Sequence, residues 1–261
     1  MKAHTKKAKD IESPLPRPMM TQARRGAAWV SCLAIAACRT VSAPPAAAPP
    51  AIPAAPVVRE RIEHYRIDAA RSQVLILVFR DGPMAKLGHN HVLSVHGLSG
   101  DVSMLSDVSS ASFSLEFPVA AMTIDEPALR AEQGDDFKAT LDALSSDGTR
   151  GHMLGEQLLD ATRFPSIRLK SEQLRAEGDH WLVTLHITVR DRDSTAEVPV
   201  ALASTQDELT ASGEFDLTHA QLGLTPYSVG LGALRVAETI HIRYRLLAQR
   251  LSPSGTDAEN P

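Results

Sequence analysis

HWLVTLHITVR, residues 180–190, puts Trp181, Val183, Leu185, Ile187 and Val189 on one side of an extended chain and Thr184, His186, Thr188 and Arg190 on the other. Successive side chains of a strand point to opposite faces, so this stretch has one dry and one wet face, as strands of antiparallel sheets do. The same period returns in 235–249 (RVAETIHIRYRLLAQ), where Ile240, Ile242, Tyr244 and Leu246 oppose His241, Arg243 and Arg245. Further strands are predicted at 63–70, 72–80 (apolar on both faces), 111–124, 165–177, 196–204 and 208–218. Residues 91–105 read as one long strand in which Gly97 and Gly100 suit bends or bulges. Gly178-Asp179 and the charged DRDS at 191–194 read as turns. Only the stretch 125–160 lacks alternation. There, Asp125 ahead of Pro127, Asp136 and Thr149 read as helix starts. About eight or nine antiparallel strands with one helical insertion predict an all-β barrel closed on itself, because closure removes unpaired edges.

The termini carry a different message. RRGAAWVSCLAIAAC at 24–38 is a basic flank, a short apolar run and a cysteine preceded by small residues, the layout of an export signal. The run from Gly26 to Ala37 falls well short of the roughly 20 apolar residues a bilayer-spanning helix needs. Its end, Ile35-Ala36-Ala37-Cys38, resembles a bacterial lipobox. Residues 1–37 are therefore read as a leader, with Met19 or Met20 the better start, and Cys38 as the acylated first residue of the mature chain. Residues 38–58, rich in proline and alanine, read as a tether. Residues 59–250 form the folded domain, and 251–261 read as a disordered tail. The expected location is the periplasmic side of a bacterial membrane.

Composition narrows the chemistry. The two cysteines, Cys32 and Cys38, both precede the domain, so it has no disulfide, thiol nucleophile or cysteine zinc site. The first 25 residues hold seven of the 27 Lys and Arg but two of the 31 Asp and Glu, which leaves the remainder at a net charge of −9. Such a balance argues against nucleic acid as partner. It also does not suggest a surface that clings to anionic lipid, so membrane attachment is assigned to the anchor. No GxSxG, HExxH, P-loop or GxGxxG motif occurs in a fitting context, and the chain is read as a binding protein rather than an enzyme.

Several short motifs carry a family resemblance: Tyr65-Arg66-Ile67-Asp68 with Ser72, Val95-His96-Gly97-Leu98-Ser99-Gly100, Arg150-Gly151-His152-Met153-Leu154, and Leu159-Asp160-Ala161-Thr162-Arg163-Phe164-Pro165. With the stretches 183–200 and 216–224, these make most of Tyr65 to Ala248 resemble the YceI-like proteins, the Leu-Asp-Ala-x-x-Phe-Pro element being the most specific. The resemblance implies a lipocalin-like barrel around an apolar tunnel that holds a long isoprenoid, quinone or fatty chain, with no other cofactor. A homodimer is compatible with it. Two features depart from the family pattern. Arg190-Asp191 stands where a second late glycine is expected, and Leu87-Gly88-His89-Asn90-His91 is an added histidine motif.

Alternation alone does not separate a hollow barrel from a filled one; the resemblance implies a hollow one. Its wall is assigned to Val74, Ile76, Val78, Phe113, Leu115, Phe117, Ile167, Leu169, Val183, Leu185, Phe215, Leu217, Ile242 and Tyr244. His89 and His91, two apart and so on one side of an extended chain, are assigned with Arg130 and His152 to the tunnel mouth, facing a ligand headgroup. Arg150 and Arg163 are further cationic candidates. A metal shared by His89 and His91 is the weaker reading, since a third ligand from His64, His96, His152 or a carboxylate is not identifiable from spacing. The alternatives of another class are a metal-dependent or hydrolytic enzyme at His89 and His91, and a structural envelope protein with a filled barrel.

Overall fold

The structure, a computed structural model, describes residues 61–105 and 107–252. The leader, Cys38, the tether and the tail from residue 253 lie outside the described residues.

Twelve strands form one sheet: β1 (Glu63–Ile67), β2 (Gln73–Asp81), β3 (His91–Ser94), β4 (Ser99–Met104), β5 (Ser112–Pro118), β6 (Thr123–Ile124), β7 (Ser166–Glu177), β8 (His180–Val189), β9 (Arg192–Ser204), β10 (Glu208–Thr218), β11 (Ser228–Val229) and β12 (Leu234–Arg250). Eight of them close a barrel in the order β1-β4-β5-β7-β8-β9-β10-β12 and back to β1, every pair antiparallel. The key element is β12, 17 residues long. One edge pairs with β10 from Thr218↔Thr239 to Glu208↔Gln249. The other edge is shared: β2 pairs with Arg235 to Arg245, and β1 with Ala248 to Arg250. From β2 the sheet continues outward through β3 to β6.

The stretch 91–105 is therefore two strands, not one. Gly97 sits at φ 68, a left-handed conformation glycine adopts without steric cost, and a Cβ there would stand 3.1 Å from the Pro118 ring. The chain turns at this point, leaves the edge of β2 and reappears beside β1. The stretch 111–124 is likewise divided, into β5, a 3₁₀ turn at Val119–Ala121 and the short β6. The hairpin between β8 and β9 is tighter than DRDS suggests. Val189 pairs with Arg192, leaving Arg190 and Asp191 as a two-residue turn with Arg190 at φ 57.

The helical insertion comprises α1 (Pro127–Ala131), a 3₁₀ turn at Asp135–Phe137 and α2 (Ala143–Leu154). Pro127 opens α1, where its missing N–H costs nothing. The predicted start at Pro127 holds, but the other two do not: Asp136 lies inside the 3₁₀ turn, whose cap is Gly134. Asp142, not Thr149, caps α2 by accepting the Ser145 N–H at 2.7 Å; Thr149 lies inside the helix and donates to the Ser145 carbonyl at 3.0 Å. Asp125 does not cap α1, because its carboxylate is engaged across the sheet.

Candidate ligand-binding site

The inward faces of the eight barrel strands, joined by Val74 and Ile76 of β2, enclose a cavity of about 230 Å³ with almost wholly apolar walls. From β8 come Trp181, Val183, Leu185, Ile187 and Val189, every alternate residue of the strand. Of the wall residues read from the sequence, all but Val78 line this cavity. Tyr244 faces in, but its hydroxyl donates to the Pro199 carbonyl at 2.7 Å, and burial pushes its pKa up. It is thus a satisfied wall residue. A Cβ on Gly213 would stand 2.7 Å from that hydroxyl, so glycine at this register leaves the ring room to cross the sheet.

A second cavity, of about 290 Å³, adjoins the first where Ile76, Ile167, Val189, Leu222 and Ile240 belong to both walls. It lies between β2, β3, α2 and the segments before and at the start of β12, and Val78 lines it. Here polar groups enter: Arg80, His89, His91, Ser145, Thr149, His152, His219, Tyr227 and Arg235. Among the described residues, none of its lining side chains is a carboxylate.

His89 and His91 both reach this second cavity, although Gly88 to Asn90 are not strand. The residue between them explains why. Asn90 is buried, accepts the Arg80 N–H at 3.0 Å and donates to the Asp136 carbonyl at 3.0 Å, pinning the segment between β2 and the helical insertion. His91 is oriented from behind. Its Nδ1 lies 2.6 Å from Asp125 Oδ2, and Asp125 Oδ1 accepts from the Val92 N–H at 3.0 Å and from Arg130 Nη1 at 2.5 Å. Burial pushes the Asp125 carboxyl up, but the hydrogen bonds from His91, Val92 and Arg130 outweigh it and hold the group below its ordinary value. The ionised carboxylate is an acceptor only, so His91 Nδ1–H donates to it and Nε2 is the ring nitrogen left unengaged by Asp125. Asp125 itself sits at φ 59, a strained position outside glycine.

Arg130 is not at the mouth. Its side chain is 7% exposed, and besides Asp125 its guanidinium donates to the carbonyls of Asn90 (2.7 Å), Phe137 (2.9 Å) and Ala139 (3.1 Å). With its donors spent on the backbone, it organises the insertion behind His91. Arg150 is similarly committed, to the carbonyls of Ala120 (2.6 Å) and Met122. Arg163 lies over the Phe164 ring and pairs with Asp160 at 3.3 Å. His152, in the last turn of α2 rather than near its start, rests on the Tyr227 ring with centroids 4.2 Å apart. His96 is bonded to Glu126 and Thr123, and His64 to Ser103. Among the described residues, no three His, Cys, Asp or Glu side chains gather as a metal site would require. His219, Tyr227 and Arg80 were not read from the sequence as site residues. Tyr227 precedes a glycine-rich turn whose periodicity gave no sign of a wall.

A closed antiparallel barrel with an apolar interior and one polar end chamber defines a lipocalin-like architecture. The chain belongs to the YceI-like family, whose domain matches residues 65–248. Among solved structures it is similar to BcnA of Burkholderia cenocepacia, at 18% identity and a TM-score of 0.50, over 69% of this chain and 98% of that one. It is also similar to a YCEI protein of Campylobacter jejuni, at 7% identity and a TM-score of 0.43, over 61% and 85% of the two chains. No curated protein matches it. At 18% identity the likeness to BcnA speaks for the fold alone.

Proposed function

We propose that this protein is an exported, membrane-anchored carrier that holds one long apolar molecule, an isoprenoid, quinone or fatty chain, in the barrel and shields it from water. The observation that carries this reading is the apolar cavity running inside a closed barrel, along strands of ten or more residues. A filled barrel needs no such space. The driving force is burial of chain surface at about 25 cal/mol per Å², offset in part by the cost of ordering the chain. The second cavity takes the polar head, with His89, His91 and His152 as orienting groups. Cys38 supplies the anchor on the periplasmic side.

Native mass spectrometry of the protein as purified tests this reading, because it reports bound lipid and bound metal together. A stoichiometric apolar ligand is expected. Stoichiometric metal without lipid favours an enzyme at His89 and His91, and neither favours a structural barrel. Cys38→Ala tests the anchor: the variant is expected to leave the membrane fraction as a folded protein.

A further inference from the structure

Large apolar side chains that remain exposed are few among the described residues, and they are not scattered. Ile62 and Leu251 belong to the ends of the described chain. The others are Met84, Leu87, Leu144, Tyr227, Val229 and Leu231. They come from three segments that surround the second cavity: Gly88 beside Leu87, Ser145 beside Leu144, and Tyr227 itself line its wall. The segments are tied together. The Met84 N–H donates to the Ala233 carbonyl at 2.8 Å, and Tyr227 lies against His152 of α2. Leu231 stands fully exposed at φ 55, flanked by Gly230 at φ 61 and Gly232 at φ 88. A left-handed leucine is disfavoured by its own Cβ. The turn therefore accepts both a conformational cost and an exposed leucine, a combination that gives the domain nothing as an isolated molecule.

We propose that this apolar rim is a docking edge that inserts into the headgroup–acyl boundary of a lipid bilayer, opening the second cavity onto hydrocarbon so that an apolar chain moves between bilayer and barrel without crossing water. The proposal rests on the carrier reading above. Charge supports the bilayer as occupant. The two loop tips, GPMAKLG at 82–88 and PYSVGLGAL at 226–234, contain one charged residue, Lys86, and no carboxylate, in a protein whose residues beyond the first 25 sum to −9. Carboxylates are thus absent from the two loop tips, whereas Asp142 and Asp147 flank Leu144 in the third segment; the two tips are the part that enters the headgroup region, and Lys86 suits its phosphates.

The test uses the full chain carrying Cys38→Ala, so that no acyl anchor contributes, with and without Leu87→Ser and Leu231→Asn, neither of which lines a cavity. Both chains are sedimented with mixed phosphatidylcholine–phosphatidylglycerol vesicles. The parent is expected to partition onto vesicles and the rim variant to partition about tenfold less, with the melting temperature unchanged. Equal partitioning of the two chains, or none by the parent, overturns the proposal. So does a parent that sediments as a dimer which the rim variant splits, since a second copy then covers the rim. Apolar ligand extracted from the same samples keeps a failure of the docking edge distinct from a failure of the carrier reading.

Discussion

Asp125 is where the added histidine motif, the helical insertion and β3 meet, and its chemistry sets two predictions. Its carboxylate, 1% exposed, is the counter-charge of the buried Arg130 guanidinium. Asp125→Asn keeps the shape and tolerates the left-handed backbone, but leaves a buried cation unpaired, and a loss of about 3–5 kcal/mol in unfolding free energy is expected. The pH dependence follows from the lowered pKa. A carboxyl depressed in the fold contributes stability that is complete above its ordinary value of 3.8 and is lost as pH falls through the folded value. The native chain should therefore resist chemical denaturation less as pH falls below about 4, and Asp125→Asn should flatten that part of the profile; parallel profiles count against this role. His91 depends on the same group. If it and His89 orient a ligand head, His89→Ala with His91→Ala weakens ligand binding by about 1–3 kcal/mol without loss of fold. Loss of metal with lipid retained points to the enzyme reading instead, and unfolding assigns the pair to the core. The histidines stood out in the sequence because two of them flank one asparagine. Their support did not, because Asp125 is 34 residues from His91 and Arg130 is 40 from Asn90. A buried arginine and an exposed one look alike until the contacts are seen.

Strands were legible where one face is dry and the other wet. β8 and β12 alternate because each lines the cavity with one face, and period two identified their inward residues. The readings failed where a glycine or a change of partner interrupts a run. Residues 91–105 look continuous because β3 and β4 are both extended, yet Gly97 at φ 68 sends them to different edges. The first turn of α2 was missed for a related reason. Asp142 precedes ALSSDG, which is poor in apolar residues and shows no helical stripe. Because β8 has the clearest alternation, it is the strand on which to test whether the cavity holds a ligand. Val183 is 2% exposed and faces the cavity midway along β8. Val183→Trp fills space that a ligand tail needs. It should lower the lipid that co-purifies while the circular dichroism spectrum and melting temperature stay near native. A tight core instead loses about 1–3 kcal/mol on such overpacking, so a destabilised variant, or a stable one with unchanged lipid, argues against a tunnel at Val183.

At the scale of the whole molecule, closure depends on one long strand holding two short ones. β1 and β2 follow each other along the same edge of β12, with the Ser72 hydroxyl accepting the Leu247 N–H at 3.0 Å between them. The number and direction of strands implied this barrel; its hollowness was not implied, since an inward valine looks the same beside a void or a neighbour. An unfilled apolar cavity is a liability, because wall atoms without partners forfeit dispersion contacts and the protein gains nothing in return. A ligand that binds the folded barrel and not the unfolded chain removes that liability and adds stability by mass action, about 2.7 kcal/mol at a hundred times its dissociation constant. For a domain of this size each kcal/mol moves the melting temperature by about 2–4 °C. Stripping the bound chain with organic solvent and refolding should therefore lower the melting temperature by about 5–10 °C, and adding a long-chain apolar lipid should restore it. The reversal is the decisive half of the experiment, because damage during stripping also lowers the melting temperature but is not undone by lipid. A stripped protein that melts as the native one does means that the cavity is not where the chain is held.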